Sequence, residues 1–443
     1  LSLSHRMSFN SGKNKNKGFA NAKLQRKLPQ PRTFFQLNCN GLFEHPRFCR
    51  NSRYDFTNPN QTITRRSGEC ECCPPDSYYE AELKKVFEYV RENQFHLCYF
   101  SETWVYGEDA KGTEPVTEHP LSGPGGAQNG GREEETWLHK YGLSETYRAY
   151  FSLQHRNYFG SRDTAWAGNV VFVHKDVQPP VKILRHADIG LTQGNAQYQG
   201  RYLEFEFPDG FHVLTTYMPF SGFNDNRSRT KKKIALRKTL DLAVRERLVQ
   251  LREKEFVWMG DLNVSPGPLD HFLGEPGRED EYAMSMQEKQ DGTHIEDIDD
   301  RGECGYTPNL KKRFHETVRL ADGVDAFRHL SPYTRIYTQP HPAPGITRWD
   351  HYIVSKKIIE ENRLEECEIY PDKCFSSDHC VVTMKLRSAS EAATNSSKKK
   401  KVFEENDDDS KNSKNMSMLE QLRATSIDMQ QLRAKRLKRF ANQ

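Results

Sequence analysis

Five polar clusters in this 443-residue chain sit where an apolar strand ends. They are Asn38 and Asn40 after Thr-Phe-Phe-Gln-Leu, Glu102 in Phe-Ser-Glu-Thr-Trp, Asp261 and Asn263 in Trp-Met-Gly-Asp-Leu-Asn-Val, Asp350 in Arg-Trp-Asp-His-Tyr, and Asp378 with His379 in Ser-Ser-Asp-His-Cys. One acid after a strand is an ordinary turn or capping residue. The repetition carries more: strands of a sheet end side by side, so their terminal acids, amides and one histidine would converge in one pocket. Such hard oxygen ligands suit Mg²⁺, with Mn²⁺ as the alternative, and leave soft thiolates without a role. The chemistry is hydrolysis of a phosphodiester or phosphomonoester. A divalent ion neutralises charge on a phosphate oxygen, a carboxylate or histidine orients or deprotonates water, and an amide donates to the pentavalent transition state. His351, beside Asp350, is expected near His379, where it would hold the imidazole.

The elements that must position these groups are legible from periodicity. Arg32-Thr-Phe-Phe-Gln-Leu-Asn is a strand, and from Tyr79 to Asn93 the apolar residues Leu83, Val86, Phe87 and Val90 mark one face of a helix. His96 to Glu102 is the next strand. Arg201 to Phe207 and Phe211 to Tyr217 form a hairpin through Pro208-Asp209-Gly210. A long basic helix follows, with Leu240, Val244, Leu248 and Leu251 on one side, and later strands begin at Phe256, Trp349 and Cys380. Many strands with helices between them argue for an α/β fold, a mixed sheet system covered by helices.

Composition bounds the rest. Hydrophobic residues are 35% of the chain and charged residues 28%, with a mean hydropathy of −0.87, so polar arms or inserts must dilute a normal core. No run approaches the length of a membrane-spanning helix, and no membrane association is expected. The 65 basic and 61 acidic residues are too balanced to name a partner. Ten cysteines at irregular positions fit a reducing compartment, and Cys70, Cys72 and Cys73 lack the paired spacing and fourth ligand of a zinc knuckle. The chain starts at Leu1, read as a fragment or a frame opened upstream of Met7. Residues 1–32 form an acid-free basic arm; 33–387 form the catalytic domain, with surface insertions at about 107–135 and 275–303. Residues 388–417 are a charged linker and 418–443 a basic amphipathic helix that would form with a protein partner. The acidic 275–303 insertion is expected to repel phosphates or cover a groove until the ligand displaces it. Lys398 to Lys401 reads as a nuclear import signal, with mitochondrion or plastid as alternatives to the nucleus.

Asn-x-Asn-Gly-Leu, Ser-Glu-Thr, Tyr-x-Pro, Gly-Asp-Leu-Asn-Val, Arg-x-Asp-His and Ser-Asp-His-Cys occur in the order and rough spacing of the endonuclease/exonuclease/phosphatase superfamily, which the chain resembles. More narrowly it is similar to exonuclease III-type apurinic/apyrimidinic (AP) endonucleases, through Gly-Asp-Leu-Asn-Val-Ser-x3-Leu-Asp, Gly305-Tyr-Thr-Pro and Asp325-Ala-Phe-Arg-His-Leu-Ser-Pro. The resemblance spans Thr33 to Arg387 and implies a four-layer α/β sandwich of two mixed β-sheets flanked by helices. It implies a metal site drawn from Asn38, Asn40, Glu102, Asp261, Asn263, Asp378 and His379, with Glu102 the main ligand, assisted by Asn40 and Asp378, and Asn38 supporting. Asp261 would activate or position water and Asn263 would stabilise the phosphorane. His379, oriented by Asp350, would bind the scissile phosphate, and Tyr217 would hydrogen-bond it. The implied activity is Mg²⁺-dependent incision 5′ to abasic sites in base-excision repair, leaving a 3′-hydroxyl and a 5′-deoxyribose phosphate, with 3′-exonuclease or 3′-phosphodiesterase action possible on the same site.

The chain departs from the family at Phe220, where relatives have Asn after Tyr-x-Pro, and around the abasic-sugar pocket. Tyr337-Thr-Gln-Pro and Thr347-Arg-Trp-Asp-His leave one pocket tryptophan missing and Trp349 two positions displaced. Basic residues cluster at Arg227, Arg229, Lys231, Lys232, Lys233, Arg237 and Lys238 and again at Lys311, Lys312 and Arg313. Among these Arg229, Lys232 and Lys312 are expected to touch DNA phosphates. The expected ligand is double-stranded DNA carrying abasic sites, bound by a monomer. Two rival readings remain at this point: a retroelement-type or general endonuclease without abasic preference, and a catalytically weakened DNA-binding scaffold.

Overall fold

The computed structural model describes residues 28–39, 76–103, 106–107, 138, 141–152, 154–155, 167–191, 198–220, 227–274, 305–339 and 347–394. Asn40, the three clustered cysteines, both insertions apart from Gly107, and most of the basic arm lie outside the described residues, as do Lys398 to Lys401 and the C-terminal helix. By contact the chain divides into Leu1–Ile359 with Leu364–Leu386, which holds all the strands, and a second unit of Glu360–Arg363 with Arg387–Gln443. In that second unit the Arg387 amide donates to the Arg363 carbonyl at 2.7 Å.

Among the described residues, fourteen strands and five α-helices carry the architecture. The strands are β1 (Thr33–Asn38), β2 (Leu97–Ser101), β3 (Tyr106–Gly107), β4 (Tyr147–Ser152), β5 (Gln154–His155), β6 (Asn169–His174), β7 (Lys182–Arg185), β8 (Tyr202–Glu206), β9 (His212–Tyr217), β10 (Phe256–Asp261), β11 (Gly323–Asp325), β12 (Asp350–Ser355), β13 (Leu364–Tyr370) and β14 (Val381–Leu386). The helices are α1 (Asp76–Asn93), α2 (Arg227–Gln250), α3 (Pro308–Leu320), α4 (Ala326–Leu330) and α5 (Lys356–Glu360).

Two six-stranded sheets result, in the orders β13-β14-β1-β2-β6-β4 and β11-β12-β10-β9-β8-β7, with β3 and β5 as a separate pair. Each six-stranded sheet is antiparallel except for one central parallel pair, β1 with β2 and β9 with β10. Parallel neighbours need a crossover, and α1 and α2 lie in those two connections. The expected hairpin is present as β8 and β9. Several strands escaped the periodicity reading: β4, β6, β7 and β13 lie outside the runs singled out above. Within the expected basic arm, the Leu28 amide donates to the Asp176 carbonyl and its carbonyl accepts from Gln178 N–H, both at 2.8 Å.

Alternation along the strands sorts the side chains into three cores. Phe35, Leu37, Cys98 and Phe100 face outward onto Leu83, Val86, Phe87 and Val90 of α1. Leu214, Phe256 and Trp258 face Leu240, Val244 and Leu248 of α2 and Leu310 and Phe314 of α3. The opposite faces, with Phe34, Tyr99, Val213, Val257, Met259, Tyr352 and Val382, meet between the sheets. Each fully buried side chain of this size contributes on the order of 1.5–3 kcal/mol. These are helix, sheet, sheet and helix layers, as the resemblance implied.

Candidate active site

The inter-sheet faces change character at one end. Continuing the parity of their apolar neighbours, Asn38 follows Phe34 and Gln36, Ser101 follows Leu97 and Tyr99, Tyr217 follows Val213 and Thr215, and Asp261 follows Val257 and Met259. Pairing register then draws them together: Asn38 lies opposite Ser101, and Asp261 lies opposite both Tyr217 and Asp350. Gly260 makes this approach feasible. Its φ is +142°, and a Cβ there would stand 1.9 Å from the Thr216 carbonyl oxygen on β9. Glu102 and Asn263, just beyond the strand ends, also adopt left-handed backbone, with φ of 48° and 46°. Non-glycine residues in that region cluster at functional sites.

Asp261 is the hub. Its Oδ2 accepts from Asn38 Nδ2 at 2.8 Å and from Asn263 Nδ2 at 3.1 Å, and its Oδ1 accepts from the Asn263 backbone N–H at 2.9 Å. Asn263 Nδ2 also donates to the Met218 carbonyl at 2.9 Å, so in this structure its amide protons hold Asp261 and the neighbouring loop. Asp350 Oδ2 lies 2.7 Å from His379 Nδ1, and the Tyr217 hydroxyl donates to Glu102 Oε1. Ser377 locks the histidine turn to β1: its hydroxyl donates to the Asn38 carbonyl at 2.5 Å and accepts from the His379 N–H at 3.0 Å. Asp378, partly exposed, accepts from Gln339 Nε2 at 3.4 Å.

Burial and crowding set the charges. Burial pushes the Glu102 carboxyl up to about 7; the Tyr217 hydroxyl opposes this, Asp378 adds to it, and His379 and Arg201 oppose it. Burial likewise raises Asp261 to about 8, against the pull of His379 and with the help of Asp350 and Glu102. For His379 burial alone would lower the pKa, but Asp350, Asp261 and Asp378 hold the imidazolium and raise it to about 10. The histidine is therefore a cationic donor at neutral pH, suited to a phosphate oxygen, with Nδ1 committed to Asp350.

Four carboxyl groups, two of them pushed up by burial, thus crowd around His379 and Arg201 and offer the site oxygen donors. That donor chemistry fits Mg²⁺ or Mn²⁺, with Glu102 and Asp378 the groups left nearest to ligation. Among the described residues no three His, Cys, Asp or Glu side chains stand in ligating geometry. Of the residues expected in the metal set, Asn38 and Asn263 donate their amide nitrogens to Asp261, and His379 Nδ1 pairs with Asp350.

Other expectations change with the tertiary structure. His351 is not near His379: strand alternation turns it to the opposite face of β12, where its Nε2 meets the Val264 carbonyl at 2.8 Å. Arg237 is not a DNA contact, being 2% exposed, with its guanidinium donating to the carbonyls of Leu262 at 2.7 Å and Pro219 at 3.0 Å. Arg313 pairs with Asp241 at 3.0 Å, and the Lys311 ammonium sits 3.6 Å from the Tyr306 ring centroid. Lys312 remains exposed on α3, while Arg229 and Lys232 lie on α2 with side chains outside the description. Sequence reasoning also missed Arg201, whose buried guanidinium stacks 4.8 Å from the Tyr217 ring centroid and helps to keep the Glu102 carboxyl down. Its parity with Leu203 and Phe205 was a usable signal, since it points a cation into the inter-sheet space.

Comparison with known proteins agrees with this geometry. The chain is 25% identical over 263 residues to a DNA-(apurinic or apyrimidinic site) endonuclease of Plasmodium berghei, covering 53% of this chain and 45% of that protein. It is 26% identical over 243 residues to one from Arabidopsis thaliana, covering 52% of this chain and 61% of that protein. The chain spans about half the length of the curated relatives it matches. In fold it is similar to the AP endonuclease LMAP from Leishmania major, with a TM-score of 0.50 and 16% identity over 81% of this chain and 88% of that one. It is also similar to the 3′-5′ exonuclease NExo from Neisseria meningitidis, with a TM-score of 0.50 and 13% identity over 80% of this chain and 100% of that one. No protein-family model matches the chain. In sequence the chain is thus similar to DNA-(apurinic or apyrimidinic site) endonucleases, and its paired mixed sheets are similar to the fold of AP endonuclease LMAP.

Proposed function

We propose that this chain is a divalent-metal-dependent DNA phosphodiesterase, and more narrowly an AP endonuclease that cuts duplex DNA 5′ to abasic sites in base-excision repair. The observation that carries the reading is the Asp261 carboxylate, fixed by Asn38 and Asn263 and facing the Asp350–His379 pair. A carboxylate held by several donors on one side presents a defined oxygen to a water on the other, positioning it for in-line attack and taking its proton. Burial raises the Asp261 pKa, which suits proton acceptance near neutrality. His379, held as a cation, donates from Nε2 to a non-bridging phosphate oxygen, and the Tyr217 hydroxyl, which donates to Glu102 in this structure, would turn to the phosphate as a second donor. When bound, Mg²⁺ or Mn²⁺ supplies positive charge beside a phosphate oxygen, next to Glu102 and Asp378. DNA as the substrate is supported by the names of the sequence relatives.

The test is a nicking assay on a duplex with one abasic site beside the same duplex undamaged, in Mg²⁺ or EDTA, with wild type and Asp261→Asn. Metal-dependent incision at the abasic site alone, lost in the variant, is expected. Cutting of both duplexes would replace the narrow reading with that of a general nuclease. Binding without cutting of either would replace it with a scaffold.

A further inference from the structure

The wall of the site beside His379 is aromatic. The Trp349 ring centroid lies 6.2 Å from that of His379, and Phe220 meets Trp349 edge-on at 5.8 Å with an interplanar angle of 69°. The inner ring is shut in: Trp349 is 6% exposed, its backbone N–H donates to the Thr338 hydroxyl at 3.0 Å, and its carbonyl accepts from Leu262 N–H at 2.8 Å. Gly305, at φ +71°, leaves room for the indole, since a Cβ there would stand 2.4 Å from Trp349 Nε1. The outer ring is open. Phe220 is 40% exposed, yet its backbone follows Pro219, whose carbonyl is gripped by buried Arg237 at 3.0 Å. Of the two large aromatic side chains exposed among the described residues, Phe220 and Tyr333, Phe220 is the one in ring contact with Trp349.

A rigid, half-bare ring at the rim of a phosphate site leaves apolar area in water unless a ligand covers it. Resting on the function proposed above, we infer that Phe220 is a stacking platform for the base of a nucleotide flanking the phosphodiester to be cut. In the row His379, Trp349, Phe220, the imidazole takes the phosphate, the buried indole keeps the next position dry, and the open ring lies where the attached nucleotide leaves the pocket. A base has a π-face to offer and a bare deoxyribose has none, so the contact discriminates between them while tolerating any base sequence. Phe220 would then be a specificity residue of this chain, favouring a cut with an intact base beside it.

The experiment uses the full chain and two duplexes carrying one tetrahydrofuran abasic analogue. In one, the neighbour across the scissile phosphodiester is 2-aminopurine; in the other it too is tetrahydrofuran. Binding and fluorescence are read in EDTA for wild type, Phe220→Ala and Phe220→Tyr, and wild-type incision is followed in parallel with Mg²⁺. A thermal melt confirms that each variant is folded. Phe220→Ala is expected to lose roughly tenfold in affinity, the size of one base–aromatic contact, and most of the 2-aminopurine quench. Phe220→Tyr should keep both, and the doubly baseless duplex should bind wild type and Phe220→Ala alike. Equal affinity and quench for wild type and Phe220→Ala would overturn the platform, and incision by wild type would then leave the endonuclease reading standing. A Phe220→Ala loss without wild-type incision would keep the platform and overturn the endonuclease. Failure of wild type to bind either duplex would overturn both.

Discussion

Arg237→Met separates two roles that the sequence merges, since this residue sits in a run of cations on α2. In the structure its guanidinium donates to the Leu262 carbonyl at 2.7 Å, to Pro219 at 3.0 Å and more weakly to Asn263 at 3.4 Å, and its Nε pairs with Asp241 at 2.8 Å. Hydrogen bonds from a charged donor are worth about 1.5–3 kcal/mol each, so the two short carbonyl bonds together represent roughly 3–6 kcal/mol. Methionine retains the apolar stem, and Asp241 keeps Arg313 at 3.0 Å, so no carboxylate is orphaned. A net loss of about 4 kcal/mol follows, or roughly 6 °C in Tm for a domain of this size. Because the freed carbonyls belong to the segment bearing Asp261 and Asn263, kcat should fall about a hundredfold, the cost of misplacing reacting groups by about 1 Å. DNA affinity and its salt dependence should stay within twofold. Urea unfolding, incision kinetics and titrations at several salt concentrations read all three. An unchanged unfolding midpoint with a salt slope reduced by about one would refute the reasoning and return Arg237 to the DNA surface.

Asp350→Asn removes the anion 2.7 Å from His379 Nδ1, and kcat should drop about 10²–10⁴-fold with little change in KM; activity within tenfold of wild type would remove Asp350 from the catalytic assembly. Far from the site, burial would raise the Glu204 carboxyl, but Arg247, His212 and Tyr202 overcome it and hold the pKa at about 2 against an ordinary 4.5. A depressed carboxylate contributes stability that is present above its unfolded pKa and lost as pH falls from about 4.5 through about 2, here on the order of 3 kcal/mol. Glu204→Gln should therefore flatten the dependence of unfolding free energy on pH between about 5 and 2, and a slope equal to that of wild type would contradict the assignment.

Strand parity made much of the candidate site legible. In Phe34-x-Gln36-x-Asn38, Tyr99-x-Ser101 and Val257-x-Met259-x-Asp261, alternate residues pass from apolar to polar, so a strand that packs a core at one end carries donors and acceptors at the other. That pattern, with the Pro-Asp-Gly hairpin and the apolar stripe of α1, is local and needs no knowledge of partners. It showed that Asn38 and Asp261 end strands, that Asp261 and Asn263 lie together, and that helices cover the sheets, whereas Asp350 opens β12 and Asp378 and His379 precede β14.

What parity leaves open is which neighbours meet, because pairing order and the approach of a second sheet are non-local. Asp350 and His351 are adjacent in sequence, yet only Asp350 faces His379, and that was decided when β12 paired with β10 in a register matching Asp261 to Asp350. The basic residues of α2 and α3 look alike in the chain. Packing of those helices on the second sheet buried Arg237 against backbone carbonyls, tied Arg313 to Asp241 and left Lys312 in water, because only a charge with full hydrogen bonding can leave solvent. Trp349 and Phe220 lie far apart in sequence and read as losses from a family pattern. Their contact beside His379 exists only once β9, β12 and the turn at Gly305 are brought together.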